Sequence, residues 1–324
     1  FENNWATLQI GRGNENWGAG NEIQLALSHH SGAYDYFLLA SDYGRIRVRY
    51  IHGFLENVGN NINRFITARG FEWTNRKSLV IGFSETTIYS GENRSLDIGY
   101  LNPMSSHLEI EYNNRLNVYG NRNSNAVWQI HLDYFYKDRL RVSGNYLYDE
   151  FVIDPEIELD KEHGKAFSAR IAYTPVQLKN YLITVYGKLI HIGTPTFRHG
   201  VGTNNFVKSS KPLGWYKGSD SQDLCFGLNF YNYKNLIVSI LIGFNQSGSE
   251  NILKRVFETY ADYKKGAFPS GEISETIYFE TYFKYMVNSN IHISGGIQRV
   301  KLRQDYNIDL GFSIQLLHYF LTNN

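Results

Sequence analysis

The chain has 324 residues, with 32 Lys plus Arg against 31 Asp plus Glu and a formal net charge of +1. That balance offers no basic surface for nucleic acid, and the single cysteine, Cys225, excludes an intrachain disulfide and a cysteine-based zinc site. No window approaches the ~18 consecutive apolar residues of a spanning helix; the most apolar run, Leu236 to Phe244, is too short.

Aromatic residues make up 15% of the chain, with 25 Tyr and only 6 Pro. That mixture suits a β protein with aromatic girdles, and the polar mean hydropathy is what alternating membrane strands average to. From the N-terminus, Trp5 to Gly11 reads as a strand, followed by a Gly-rich turn through Gly20. Glu22 to Ser28 alternates Ile23, Leu25 and Leu27 with Gln24, Ala26 and Ser28, which predicts a strand. Tyr34 to Ser41 and Arg45 to Leu55 follow. In the latter, Arg45, Arg47 and Arg49 share one face and need water, acids or an anionic ligand around them.

Arg64 to Thr74 and Lys77 to Tyr89 form a predicted hairpin around Asn75-Arg76. Arg69 and Glu85 sit at the same parity as apolar neighbours, which a bulge or a buried pair would explain. Alternation lapses from Gly91 to Ser124, where Ser106-x-x-Glu109 predicts a short helix to about Asn113. It resumes in Asn125 to Tyr136, a tight turn at Lys137-Asp138, and Arg139 to Asp154, which leads into an acidic loop. Lys165 to Thr174 and Lys179 to Ile190 pair across a predicted turn at Pro175. A long Gly, Asn, Ser and Lys loop runs from Gly193 to Gly218.

Asp223 to Asn232 and Asn235 to Gln246 pair next, and helical spacing of apolar residues predicts a helix within Ser249 to Gly266. Ser274 to Val287, Ile291 to Leu302 and Tyr306 to Phe320 end the chain. The last of these places Ile308, Leu310, Phe312 and Ile314 opposite Asn307, Asp309, Gly311 and Ser313. Its length exceeds the roughly 9–11 residues a tilted strand needs to cross a bilayer. Long strands joined alternately by tight turns and long loops predict an all-β fold, an antiparallel transmembrane β-barrel of about 16–18 strands with short helices in its long loops, as a single domain over 1–324.

Three segments carry a family likeness. They are Gly11-Arg12 with Trp17-Gly18-x-Gly20; Ser84-Glu85-x3-Tyr89 with Tyr100-Leu101-Asn102-Pro103-Met104; and Asn145 to Phe151 ending in Asp154. They resemble the capsule-assembly Wzi-like family of bacterial outer-membrane proteins. The resemblance implies a monomeric barrel of the outer membrane that binds surface polysaccharide without cutting it. Family members carry further residues before the Trp-Gly segment, so N-terminal strands are expected to be missing from this chain.

The expected glycan-binding or luminal polar residues are Arg12, Trp17, Arg45, Arg47, Arg49, Glu85, Asn102, Asp149, Glu150 and Asp154. Arg12 is expected to tie its turn to the lumen, and the sugar is expected at the long-loop rim. The carboxylates have no spacing that fixes a glycosidase pair, and the histidines have none that suits a metal. No catalytic residue, cofactor or metal is assigned. The expected partners are outer-membrane lipid and surface polysaccharide. The alternative reading is an accessory or scaffold barrel within a larger outer-membrane secretion or gliding machine, with other protein subunits as partners.

Overall fold

The computed structural model describes residues 5–59, 61–112, 124–149, 161–260, 265–288, 291–302 and 305–316. Sixteen strands account for most of it. Fourteen form one antiparallel sheet in chain order: β1 (Ala6–Gly13), β2 (Tyr34–Asp42), β3 (Ile46–Val58), β4 (Ile62–Thr74), β5 (Leu79–Glu92), β6 (Ser124–Tyr136), β7 (Leu140–Tyr148), β8 (Lys165–Gln177), β9 (Tyr181–Ile192), β12 (Ser221–Asn232), β13 (Leu236–Ser247), β14 (Ser274–Met286), β15 (Ile291–Leu302) and β16 (Asp305–Leu316). The other two, β10 (Val207–Lys208) and β11 (Lys211–Pro212), make a small hairpin in the loop between β9 and β12. Each wall strand pairs with the next one in the meander, and among the described residues β1 and β16 are each paired along one edge.

Connection lengths give the wall two unlike rims. Tight turns follow Asp42, Thr74, Tyr136, Gln177, Asn232 and Met286 at one end. The long connections follow Gly13, Glu92, Tyr148, Ile192 and Ser247 at the other, with tight turns there only after Val58 and Leu302. The turn after Thr74 shows how local chemistry fixes this. Asn75 Oδ1 accepts the N–H groups of Lys77, Ser78 and Leu79, and Arg76 takes the left-handed conformation with φ 59°. Lys137 and Asp138 both lie at positive φ in the predicted tight turn.

The register sorts side chains cleanly between two faces. Val48, Phe71, Phe83 and Ile130 stand in one cross-strand row and are all exposed on the outside. Ile308, Leu310, Phe312 and Ile314 repeat the pattern on β16. Trp73, Tyr134, Tyr136, Tyr173, Tyr181 and Tyr285 form an outward aromatic girdle near the tight-turn rim. An exposed apolar band with such a girdle is the surface a bilayer requires. A depression of about 850 Å³ between Ile171, Val185, Leu189, Leu224, Phe226 and Ile242 belongs to this outer surface.

The inward face is filled at the long-loop end. Ile23, Leu25, Leu27, Phe197, Phe206, Leu213, Trp215 and Ile252 pack against wall residues Ile51, Ile66, Ile88, Val127, Leu147, Ile190 and Ile192. Two loops, 14–33 and 193–220, thus form a plug. The predicted strand over Glu22–Ser28 is a correction: both parities of that stretch are buried in the plug except Glu22, and among the described residues its ladder is a single bridge, Trp17 to Leu27. Its backbone is satisfied by side chains of the wall and by the other loop, which removes the need for a strand partner. Asn145 Nδ2 donates to Ala19 O and Ile23 O, Asn145 Oδ1 accepts from Ala19 N, and Ser168 Oγ donates to Ile23 O.

Three further expectations change. The Ser249–Gly266 stretch forms turns over its described residues, because Ile252 packs in the core while Asn251, Asp220 and Ser270 hold the backbone. Pro175 sits at a register shift inside β8, and the turn comes after Gln177. The predicted helix near Ser106 is present as α2 (His107–Tyr112), where Ser106 Oγ accepts the Glu109 N–H, and it follows a shorter helix, α1 (Ile98–Leu101).

Candidate functional site

Below the plug, toward the tight-turn rim, the inner wall turns from apolar to charged. On β3 the inward row runs Arg47, Arg49, then Ile51; on β9 it runs Lys188, then Ile190 and Ile192. The lumen therefore has an apolar, filled half and a polar half.

One lobe of the polar half centres on Glu15, which the plug lowers onto the wall. Glu15 accepts from Arg49 Nη2 at 2.8 Å, from the indole Nε1 of Trp17 at 2.9 Å and from Tyr36 OH at 2.9 Å. The Arg49 guanidinium lies 5.3 Å from the Trp17 ring centre. Beside them, Arg47 pairs with Asp42 at 3.0 Å and His131 with Glu72 at 3.0 Å. Asn16, Trp17, Arg47, Arg49, Glu72 and His131 surround a small cavity of about 50 Å³. Gly18, at φ 114°, carries the chain past this point; a Cβ there would stand 2.6 Å from Asn145 Oδ1.

The second lobe lies along β8, β9, β12 and β14. Lys188 donates to Glu22 at 2.8 Å, and the Arg170 guanidinium stacks 4.4 Å from the Tyr186 ring centre. Lys217 pairs with Asp223 at 2.6 Å and stands 3.9 Å from the Tyr278 ring centre, while Tyr278 OH donates to the same carboxylate. Burial pulls the Lys217 ammonium below its usual value despite Asp223. Tyr216, half exposed, lies 5.1 Å from the His30 ring.

Glu22 gives this lobe a pH response. Burial opposes its ionisation, but Lys188, with Arg170 and His30, overrides that and holds the carboxyl below its usual 4.5. The folded protein thus binds this proton less readily than the unfolded chain does. The contribution to stability is complete above the unfolded value and disappears as pH falls through the folded one. Glu22→Gln is expected to flatten the loss of stability below about pH 4.5, read from melting curves across pH in detergent. An acid limb identical to that of the parent would contradict the role given to this pair.

Of the residues expected from sequence, Trp17, Arg47 and Arg49 come together here. The others do not. Arg45 sits in the exposed turn before β3, past the end of the inward row. Arg12 faces outward beside Ile10, not into the lumen, because its register partner is Asp35, with which it pairs at 3.2 Å near the rim. Glu85 is also on the outer face, paired with Arg69 at 3.4 Å, and Asn102 lies on the outside as well, its carbonyl accepting from Arg69. Asp149 is buried, accepting the backbone N–H of Phe197, and fastens the plug. Glu150 and Asp154 lie outside the described residues. Glu15, Glu22, Glu72, Lys188 and Asp223 were missed. The signal available for the strand residues among them was a charge at luminal parity, the same signal that marked Arg47 and Arg49.

No family model matches the sequence, and no curated protein matches it. Among solved structures, the chain is similar to Wzi of Escherichia coli, described as an outer membrane protein involved in group 1 capsule assembly and a carbohydrate-binding β-barrel. The TM-score is 0.71 at 12% identity, covering 97% of this chain and 67% of that one. The fold is that of an outer-membrane β-barrel. Lower scores relate the chain to OccD1 (OprD), at 0.49 and 10% identity over 95% of this chain and 73% of that one, and to OccD3 (OpdP) of Pseudomonas aeruginosa, at 0.48 and 8% over 96% and 74%. The outward apolar band and the likeness to Wzi agree, and they place the protein in the outer membrane.

Proposed function

We propose that this outer-membrane barrel is not an enzyme and that it binds or anchors surface polysaccharide, as the Wzi-like resemblance implies. The observation that carries the reading is the polar half-lumen. It leaves Tyr216, Arg47 and Arg49 accessible, with the buried rings of Trp17 and Tyr278 packed behind them, while the plug fills the long-loop end. Aromatic faces suit sugar rings, and guanidinium forks suit the carboxylates of acidic glycans. Two nearby carboxylates are committed to cations, Glu15 to Arg49 and Asp133 to Arg141, an arrangement that balances charge in the lumen. The fold likeness to a carbohydrate-binding barrel supports the same reading.

The test is binding of the purified protein to a glycan array and to isolated capsular polysaccharides. Tyr216→Ala and Arg47→Ala, both at exposed positions, are expected to weaken binding by roughly tenfold, the worth of a stacking or charge-assisted contact of about 1–1.5 kcal/mol. Absence of binding to every acidic and neutral polysaccharide would overturn the proposal. Stoichiometric protein subunits co-purifying in mild detergent, together with that absence, would favour the scaffold reading.

A further inference from the structure

On the outer face of β3 to β6, polar residues cluster in one patch within the apolar band. One cross-strand row carries Val48, Phe71, Phe83 and Ile130. The next outward row toward the long-loop rim carries Tyr50, Arg69, Glu85 and Trp128, and the one beyond it begins His52, Thr67, Thr87. A guanidinium, a carboxylate and an imidazole facing lipid directly would be strongly unfavourable. None of them does so. Residues 94–110 leave β5, fold back over the outside of β3 to β6 and bury this patch.

The underside of this segment explains the polar row. Tyr50 OH donates to Tyr100 O at 2.7 Å, Arg69 Nη1 donates to Asn102 O at 3.2 Å, and Glu85 accepts the His107 N–H at 3.0 Å. Asp97 caps α1 by accepting from Gly99 N, and Asn102 Oδ1 accepts from Met104 N. Tyr100 stacks on Tyr89 with ring centres 4.4 Å apart. The wall thus supplies hydrogen-bond partners that the irregular backbone of the segment would otherwise seek in water. The topside is the reverse: Leu96, Ile98, Met104 and Leu108 point away from the wall, with Ile98 72% and Met104 85% exposed.

We propose that residues 94–110 form a strap lying in the acyl layer of the leaflet on the long-loop side, with Leu96, Ile98, Met104 and Leu108 in contact with lipid chains. Irregular backbone is tolerated at that depth only when its polar groups are satisfied within the protein. The Tyr50, Arg69 and Glu85 bonds satisfy three of these groups, and bonds within the segment satisfy others, among them Gly99 N, Leu101 N, Met104 N and Ile110 N. The occupant of the topside is lipid because its apolar residues continue the lipid-facing band of β3 to β6 over the patch where those strands do not provide it.

The experiment is site-directed spin labelling at I98C and M104C, in a C225S background, with the full chain in proteoliposomes. Collision with oxygen and with a water-soluble nickel chelate reports what surrounds each label. Heat-modifiable gel mobility checks folding, and two highly exposed positions guard against the loss of one variant. Labels on the strap are expected to match L132C on the outer band, with an oxygen-to-nickel ratio several-fold above that of K211C in an exposed loop. A nickel response like that of K211C would overturn the proposal by placing the strap in water. Protection from both reagents would also overturn it by showing that protein, such as a second copy, covers the strap.

Discussion

Arg64→Met is expected to unseat the plug. The Arg64 side chain is fully buried on the inner face of β4. Its guanidinium donates to Thr203 O at 2.5 Å, Asn205 O at 2.6 Å and Val207 O at 2.9 Å, pairs with Glu56 at 2.6 Å, and stands 5.0 Å from the Phe257 ring centre. Methionine nearly preserves the volume and removes every donor. Breaking a buried ion pair by removing one partner costs about 3–5 kcal/mol, and each orphaned buried acceptor adds about 1–3. Glu56 keeps only its bonds from Ser209. We expect a loss on the order of 5 kcal/mol in denaturant unfolding and a rise in single-channel conductance in planar bilayers over that of the parent, whose long-loop end is packed by the plug. Unchanged stability and conductance would show that the loop is held elsewhere.

The second large effect is expected at Gly214. A Cβ built there would lie 1.6 Å from Leu25 O and 2.6 Å from Leu25 C. Both are backbone atoms, so no rotamer change relieves the clash. Here the two halves of the plug touch: Ser28 Oγ donates to Gly214 O at 2.5 Å and Ser28 N to Leu213 O at 2.9 Å. Gly214→Val is expected to cost about 3 kcal/mol or more, at the upper end of overpacking, and to raise conductance as Arg64→Met does. Gly11→Ala is the control, since its Cβ would meet nothing within 4 Å. A Gly214→Val protein as stable as the control would mean that the two loops can separate without loss.

The wall was legible in the sequence because its physics is one-dimensional. Period-two alternation in β6, β12, β13 and β16 reports facing directly, and turn residues such as Asn75 and Lys137-Asp138 report where strands reverse. The plug was not legible. Ile23, Leu25 and Leu27 alternate as a strand would, but they are sealed among loop and wall residues by long-range contacts with Asn145 and Gly214. Helical spacing in Ile252, Val256 and Phe257 came from packing on the plug, not from a helix.

The candidate site was legible only where it coincides with strand alternation. Arg47 and Arg49 were found by parity, whereas Glu15 is brought to them by a loop whose path the sequence does not encode locally. Glu85 misled for the opposite reason. Its parity with apolar neighbours correctly marks the outer face, and only the strap over it makes a carboxylate tolerable there.

The route of the plug also sets an order of assembly. Neighbouring hairpins can zip up one after another, because nearly every wall pairing joins consecutive strands. The interior cannot set that way: residue 25 waits for residue 214, and Arg64 for residues 203 to 207. Such distant closures come late in folding. An immature form with a wound wall and a wet, leaky interior is therefore expected during biogenesis, and its drying out would be the final event.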